Sequence, residues 1–426
     1  MFLLAGVALI TGVAMRMTNV IEFTPLWGFD AVFNWRYIEY LTNTWTLPAP
    51  HAFWASAHPP FYYYVNAAIV RLLDNPDRDF NVIVLRTVAA LAGLVTVGLA
   101  YAVVRRSDPE HLGRALLAGG LVLFLPVHIY MSAMVGEEMF VTAFVSLVLA
   151  GMTWEFTNPS GSYAPLRFAA GLGILAGLAL LTKLTGVLVA IAAVGAYLVD
   201  GWRRSALVAA MQRAALLTLV TALVGGWYFA RNLIEYGYLY PHGLEPHKIM
   251  FKMPPGVRQL WDYLYIPLAT WTDSDVRHPD LLRSVWGSTY ATMWFDGHRA
   301  FLPRDVPAVS RAGTLILTLA LLPMSAFAVG LWRGVKRALA SPRNPDTLYL
   351  LIGGITIAGY ILFTWRNPWF VTLKASFLLS LSLPFAFYTS ETLDRWLRRG
   401  GVGAILVAAI LLALALAITW ALSQPH

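Results

Sequence analysis

Residues 27–64 read WGFDAVFNWRYIEYLTNTWTLPAPHAFWASAHPPFYYY, and this stretch follows the first apolar run of the chain. Its charged, polar and aromatic residues could not all sit in lipid, and they include the acidic residue Asp30. The flanking sequence is a series of apolar runs, many near the roughly 20 residues that a helix needs to cross a bilayer. The stretch is therefore predicted to be a loop at one face of a helical membrane protein.

The composition supports this class. Of 426 residues, 58% are hydrophobic and 13% are charged, whereas a soluble domain carries roughly 25% charged residues. The apolar runs fall at 1–15, 82–104, 113–131, 139–154, 168–182, 184–199, 214–230, 312–332, 347–365, 371–390 and 401–422. We predict an all-α polytopic membrane protein, with residues 1–426 forming a single transmembrane domain of about 11 transmembrane helices.

The net charge of +8 does not indicate nucleic-acid binding. Basic residues at the ends of apolar runs are what membrane topology requires, and they also attract anionic membrane lipids. The chain has no cysteine, so disulfides and thiolate metal sites are excluded.

The distribution of Lys and Arg predicts the orientation of the helices. Four short loops carry clusters of basic residues: Arg105, Arg106 and Arg114; Arg203, Arg204 and Arg213; Arg333, Lys336, Arg337 and Arg343; Arg395, Arg398 and Arg399. All four fall on one side, which is then cytoplasmic. The two long loops, 16–81 with interfacial helices and 231–311, fall on the extracytoplasmic side of a cytoplasmic (inner) membrane.

Asp30 is the first candidate for chemistry. A carboxylate at the edge of a cleft can act as a general base, and partial desolvation beside aromatic residues would raise its pKa toward a useful range. The alternative is an exposed aspartate that caps the helix starting after it.

An acidic pair and a lysine form the second group of candidates. Glu137 and Glu138 precede the apolar run 139–154, and adjacent residues on a helix point about 100° apart. We therefore expect Glu138 to face a shared cavity and Glu137 to complement the helix dipole. Lys183 lies between two short apolar runs, as a snorkelling lysine or as a ligand for a phosphate.

Three further basic residues, Arg231, Arg366 and Lys374, lie on the same predicted outer face. Each is either an interfacial anchor among aromatic residues or a cation placed against a phosphate group.

The loops add polar and aromatic candidates. His58 could donate a hydrogen bond to a phosphate or orient a sugar hydroxyl, and Tyr62 and Tyr63 offer surfaces for sugar rings or isoprenyl chains. In the second long loop, Asp296 and His298 either cover an acceptor cleft or belong to a packed loop.

The sequence gives little support for a metal site. The nine histidines show no HxxxH or HExxH spacing, and Asp30 has no acidic neighbour. We expect no cofactor, while a divalent metal is not excluded.

The order of these motifs resembles that of the GT-C glycosyltransferases. The features are Asp30 after the first helix, the His58-Pro-Pro-aromatic segment, the acidic pair between the third and fourth runs, and the segments GLALLTKLTG, WYFARNLIEYG and KASFLLSLSLP. The likeness is to enzymes that use polyprenyl- or dolichyl-phosphate sugars, such as protein O-mannosyltransferases and aminoarabinose transferases. It runs from Asp30 to about Pro384.

The resemblance implies a GT-C-type bundle and an inverting glycosyltransferase. A sugar would move from a polyprenyl-phosphate-linked donor to a hydroxyl of an envelope glycan, lipid or protein acceptor on the extracytoplasmic face. Asp30 would be the base, Glu138 or Glu137 the second acid, and Lys183, Arg231 and Lys374 the phosphate ligands.

Two departures from the family pattern stand beside Asp30. Many relatives have a glutamate after this aspartate and a histidine four residues after it, whereas this chain has Ala31 and Asn34. These departures leave open the acceptor and the division of roles within the first loop.

Two other classes of function remain as alternatives. A flippase or transporter of lipid-linked sugars would account for the helices. Such a protein is expected to carry charged residues near the middle of the membrane and commonly has internal sequence repeats, and no repeat is visible here. An O-antigen-ligase-like enzyme would share the long outer loop without needing Asp30.

Overall fold

The computed structural model describes residues 2–241, 257–276, 278–303, 306–341 and 344–424. Its elements are helical throughout this part of the chain. In the first half they are α1 (Phe2–Glu22), α2 (Ala31–Thr44), α3 (Phe61–Leu73), α4 (Arg78–Ser107), α5 (Leu112–Leu123), α6 (Pro126–Ser132), α7 (Glu138–Phe156), α8 (Leu166–Thr182), α9 (Val187–Arg203), α10 (Leu207–Thr221) and α11 (Trp227–Tyr236).

The second half begins with short helices and ends with long ones. They are α12 (Ala269–Thr272), α13 (Pro279–Arg283), α14 (Val285–Trp294), α15 (Pro307–Leu319), α16 (Leu321–Ala340), α17 (Pro345–Arg366), α18 (Ser382–Arg398) and α19 (Gly401–Leu422). A π-helical turn, Ala222–Gly226, joins α10 to α11, and 3₁₀ turns at Phe370–Thr372 and Ala375–Leu381 lead into α18.

The predicted all-α membrane architecture is confirmed. Among the residues described, eight helical segments are long and apolar enough to span a bilayer, and α5 with α6, bent by 54°, would make a ninth. Helices also occupy every apolar run of the sequence, but α8 is a shorter apolar helix. The number of eleven transmembrane helices therefore stays a prediction.

The basic segments meet at one face of the bundle, which is the arrangement that the charge distribution predicts. Arg203 donates to the carbonyl of Ala338. Arg398 Nη1 lies 2.7 Å from His111 Nε2, beside the end of α4. The cytoplasmic assignment of this face stays a prediction.

The helices that flank the two long loops continue past the bounds of the predicted apolar runs, while the loops themselves stay a prediction. The first was expected to begin at residue 16, but α1 continues to Glu22 because Arg16 is buried within it. The Arg16 guanidinium donates to the carbonyls of Val122 and Leu123 at 3.1 and 2.7 Å and to Ser132 Oγ at 3.0 Å. A charged residue can stay inside the bundle when hydrogen bonds of this kind offset the cost of its burial.

The helices on either side of the second long loop also continue past the predicted bounds. The helix α11 extends to Tyr236, and α15 begins at Pro307, which is favoured at the first turn of a helix. Residues 242–256 of this loop lie outside the described residues.

Helix α18 lies at the centre of the second half. Every residue from Ser382 to Asp394 is buried, which requires neighbours on all sides. It packs closely on α16 at Gly330, where an added Cβ would lie 2.1 Å from the carbonyl oxygen of Tyr388. The absence of a side chain at Gly330 therefore sets the distance between these two helices.

Substitution of Gly330 tests this packing. We expect Gly330→Ala to lower the free energy of unfolding by about 1–3 kcal/mol, because the methyl group forces the helices apart. Thermal unfolding in detergent would measure the change. Gly353→Ala in α17 is the matched control, since nothing lies within 4 Å of its added Cβ and alanine favours a helix by about 1 kcal/mol. An unchanged midpoint for Gly330→Ala would contradict the assignment.

Candidate functional site

Five predicted site residues meet at the end of the bundle opposite the basic face. The ammonium of Lys183 lies 2.9 Å from Glu137 Oε1 and 3.0 Å from Glu138 Oε1. His58 Nδ1 is 3.4 Å from the same oxygen of Glu137, and the hydroxyl of Tyr63 is 3.4 Å from Glu137 Oε2. We call these five residues the Lys183 cluster.

A break between two helices places Lys183 in this cluster. The helix α8 ends at Thr182, and Lys183 has an extended backbone with φ −153° and ψ 141°. The chain then turns back through the 3₁₀ turn Leu184–Gly186 into α9. An added Cβ at Gly186 would lie 2.2 Å from the carbonyl group of Ala179, so only glycine permits this close return.

Both acids face Lys183, and the expectation that only one would do so is wrong. Glu137 precedes the first residue of α7, and its ψ of −6° departs from the helical value. The step of 100° between helical neighbours therefore does not separate the two side chains. Glu137 makes no capping hydrogen bond, and its side chain is more buried than that of Glu138, 4% against 15% exposed.

The Lys183 cluster keeps its charges ionised. Burial by itself would raise the pKa of the Glu137 carboxyl, but the ammonium of Lys183 and the ring of His58 outweigh it and lower this pKa. Burial by itself would lower the pKa of Lys183, but the carboxylates of Glu137 and Glu138 raise it. Lys183 is therefore a paired buried cation rather than a snorkelling one.

The first loop is tied to the cluster through Asn34. The hydroxyl of Tyr63 donates to Asn34 Oδ1 at 2.8 Å, and Asn34 Nδ2 donates to the carbonyl of Val135 at 2.9 Å. Sequence reasoning treated Asn34 only as a departure from the family pattern. Its position one helical turn after Asp30 was the signal that could have assigned it a role.

Tyr62 lies outside this network. Its ring is fully buried and packs edge-on against Phe140 at 5.2 Å and Tyr63 at 5.2 Å. Its hydroxyl has no hydrogen-bond partner in the part of the chain described.

Asp30 is exposed and has left-handed backbone geometry, with φ 53° and ψ 8°. A capping residue normally has extended geometry, and the side chain of Asp30 makes no capping hydrogen bond. The capping alternative is therefore wrong. Left-handed geometry is unfavourable for most residues and is often kept where a site requires it. Within the described residues, the Asp30 carboxylate forms no ion pair.

Lys374 contacts Phe29, the residue that precedes Asp30. Its ammonium is 4.2 Å from the centre of the Phe29 ring and 5.2 Å from that of Phe377. Lys374 is 9% exposed, and no carboxylate of the described chain pairs with it. The Phe377 ring also lies 5.9 Å from the Lys183 ammonium, so it links Lys374 to the cluster. Sequence reasoning treated Phe29 only as an aromatic neighbour of Asp30, and it missed Phe377.

The other two basic candidates lie apart from the cluster. Arg231 Nε pairs with Glu235 at 2.9 Å, and its guanidinium donates to the hydroxyl of Tyr236 at 3.1 Å. Arg366 is exposed at the end of α17 and forms no ion pair with any residue described.

Removal of the Lys183 ammonium tests the cluster. Lys183→Met leaves the buried Glu137 carboxylate without a counter-charge, and we expect a loss of about 3–5 kcal/mol in the free energy of unfolding. Adding Glu137→Gln removes the stranded charge and should recover part of the loss. Thermal unfolding of the single and double variants in detergent measures both effects. Equal stability of wild type and Lys183→Met would show that the pair is not formed.

A family model matches a segment of the chain that contains the Lys183 cluster. Residues 57–228 match the model described as dolichyl-phosphate-mannose-protein mannosyltransferase. The matched range contains His58, Tyr63, Glu137, Glu138 and Lys183. Asp30, Lys374 and His298 lie outside it. The comparison with curated proteins gave no match.

Several solved structures resemble the fold of this protein over nearly the whole chain. ArnT from Cupriavidus metallidurans bound to undecaprenyl phosphate has a TM-score of 0.56 and 15% identity, with 99% of this chain and 76% of ArnT covered. The Archaeoglobus fulgidus oligosaccharyltransferase in complex with Zn and sulfate has a TM-score of 0.57 and 15% identity, with 99% of this chain and 53% of that protein covered. AglB from the same organism, in complex with an inhibitory peptide and a dolichol-phosphate, has a TM-score of 0.54 and 13% identity, with 98% of this chain and 55% of AglB covered.

These likenesses fit the motifs of the sequence and the helical architecture. The chain spans about half the length of the oligosaccharyltransferase and three quarters of ArnT. The resemblance inferred from the motifs is confirmed, and the chain is a membrane protein with the fold of the GT-C glycosyltransferases.

Proposed function

We propose that this protein is an inverting glycosyltransferase that moves a sugar from a polyprenyl-phosphate-linked donor to an acceptor hydroxyl. One observation carries the proposal. Asp30, which has left-handed geometry and no ion-pair partner among the described residues, follows Phe29, and the Phe29 ring contacts the buried Lys374, which has no counter-charge in that part of the chain. A base and a cation that no described residue neutralises are what acceptor activation and departure of a phosphate require.

The proposed reaction is a single displacement. Asp30 takes the proton from the acceptor hydroxyl, and the acceptor oxygen attacks the anomeric carbon of the donor sugar. The bond between that carbon and the phosphate oxygen breaks, and polyprenyl phosphate departs with the bonding electrons. The anomeric configuration inverts because attack and departure occur on opposite faces.

Lys374 is the proposed ligand of the donor phosphate. The negative charge on the leaving phosphate needs a cation that is not already neutralised. Lys183 does not meet this condition because two carboxylates contact its ammonium. Lys374 does, since its neighbours are aromatic rings. Similar folds that hold undecaprenyl phosphate and a dolichol-phosphate support this class of donor.

The Lys183 cluster is proposed to shape the sugar side of the site. Glu138 is the more exposed acid and is assigned to hydroxyls of the donor sugar, while Glu137 holds Lys183 and His58 in place. The part of the chain described contains no group of three His, Asp or Glu side chains that could hold a metal. The Lys183 ammonium contacts both carboxylates of this cluster, at 2.9 and 3.0 Å.

The proposal includes the location of the reaction. The cluster lies at the end of the bundle opposite the basic segments. If the basic face is cytoplasmic, the transfer takes place on the extracytoplasmic side of the inner membrane. The sugar and the acceptor, whether envelope glycan, lipid or protein, are left open by this argument.

Asp30→Asn tests the base. With the purified protein in nanodiscs and a panel of radiolabelled polyprenyl-phosphate sugars, we expect transfer to fall about 10²–10⁴-fold, the usual contribution of a general base. Donor binding should persist. Asp74→Asn is the matched control, because Asp74 is also an exposed aspartate with left-handed geometry, φ 46°, in the same loop.

Three outcomes are possible for this experiment. Loss of transfer in Asp30→Asn but not in Asp74→Asn supports the proposal. Equal transfer by Asp30→Asn and wild type would remove Asp30 as the base. Movement of the donor across liposomes by a wild type that transfers no sugar would favour the flippase alternative.

Lys374→Met tests the phosphate ligand. Loss of a charge-assisted contact costs about 1.5–3 kcal/mol, which corresponds to a rise of roughly 10–100-fold in the KM for the donor. Lys336→Met is the matched control, because Lys336 also lies over an aromatic ring, 5.0 Å from that of Trp332, but on the basic face. Steady-state kinetics at varied donor concentration measure the change. A donor KM that stays at the wild-type value in Lys374→Met would rule out this role.

A further inference from the structure

The loop after α14 holds a histidine against Phe29, the residue that precedes the proposed base. The carboxylate of Asp296 accepts hydrogen bonds from three backbone N–H groups that follow it, those of Ala300 at 3.1 Å, Phe301 at 2.6 Å and Leu302 at 2.7 Å. Asp296 is 1% exposed. This closed turn gives the loop a fixed shape, and His298 lies within it.

The turn packs His298 against the residue that precedes Asp30. Its ring meets the Phe29 ring edge-on, with 5.6 Å between the ring centres, and lies 6.0 Å from the ring of Phe370. His298 is 8% exposed. Phe29 therefore contacts both His298 and the ammonium of Lys374.

The hydrogen bonding of His298 fixes which ring nitrogen carries the proton. Nε2 lies 3.3 Å from the carbonyl oxygen of Phe370, and a carbonyl oxygen can only accept, so Nε2 donates. In the neutral ring Nδ1 is then an acceptor. Nδ1 is buried and has no hydrogen-bond partner among the residues described.

The surroundings keep the ring neutral. Burial and the ammonium of Lys374 lower the pKa of His298 to about 3, and the hydrogen bond to Phe370 and the carboxylate of Asp275 oppose this only in part. A buried acceptor that lacks a donor is unfavourable by about 1–3 kcal/mol. A ligand that donates a hydrogen bond to Nδ1 would remove this cost.

We propose that Nδ1 of His298 accepts a hydrogen bond from a second hydroxyl of the acceptor, so that Phe29, His298 and Lys374 border an acceptor subsite. This inference rests on the proposed glycosyl transfer. The hydroxyl that reacts gives its proton to Asp30, so a further acceptor nearby serves another hydroxyl of the same molecule. The acceptor is then a sugar or another polyol rather than a molecule with a single hydroxyl.

Two substitutions of His298 separate this role from a structural one. In His298→Asn the amide oxygen can take the place of Nδ1, but the donor to Phe370 is lost. In His298→Gln the amide nitrogen can take the place of Nε2 and donate to Phe370, but the acceptor is lost. A structural role predicts that glutamine is the better replacement, whereas an acceptor-binding role predicts asparagine.

The experiment uses the full chain in nanodiscs with the same panel of radiolabelled donors. The acceptor probes are octyl β-glucoside, which has several hydroxyls, and 1-octanol, which has one on the same tail. We expect wild type to prefer the glucoside. His298→Gln should raise the KM for the glucoside roughly 3- to 10-fold, the effect of one neutral hydrogen bond, with the donor KM unchanged. His298→Asn should stay close to wild type.

The outcomes distinguish the two proposals. If wild type transfers sugar and His298→Gln leaves the glucoside KM unchanged, the subsite alone is overturned. The same holds if His298→Asn raises the glucoside KM more than His298→Gln does. Equal use of octanol and the glucoside by wild type overturns the assignment of a polyol. Absence of wild-type transfer from every donor overturns the proposed function itself. Thermal unfolding of both variants verifies that they are folded.

Discussion

The contact of Lys183 with Glu137 and Glu138 is the interaction on which the proposed site depends. It joins the break between α8 and α9 to the start of α7, and through His58 and Tyr63 it holds the first loop. A buried ammonium without partners would be strongly unfavourable, and so would two adjacent buried carboxylates. Each charge therefore requires the others, and the three segments are fixed relative to one another.

The two ends of the bundle differ in whether their charged side chains are paired. At the basic face, Arg337 contacts Asp346 at 2.8 Å and Glu391 at 2.9 Å, so its charge is compensated within the protein. At the opposite end Lys183 is compensated, but Lys374 and Asp30 are not paired with any described residue. A buried charge without a partner, such as that of Lys374, is unfavourable for folding alone. Lys374 is therefore a position at which a substrate would supply the missing partner.

The architecture could be predicted from the sequence because apolar runs and basic loops are determined by the bilayer. The boundaries could not, since they depend on single satisfied side chains such as Arg16. The cluster was predicted only in part. Sequence order placed the acids and Lys183 on one face, but the pairing of both acids with Lys183 follows from the backbone at Glu137. Contacts between distant aromatic and polar residues, such as Phe29 with His298, leave no local pattern.

The Lys183 cluster also has a consequence for how the protein is made. Its members all lie within the first 183 residues, whereas Lys374 and His298 belong to the second half. Translation proceeds at roughly 5–20 residues per second, so Lys183 is synthesised on the order of ten seconds before Lys374. The ammonium and its two carboxylates can therefore neutralise one another while the later helices are still on the ribosome. The nascent chain then presents no isolated charge of this cluster to the lipid during insertion.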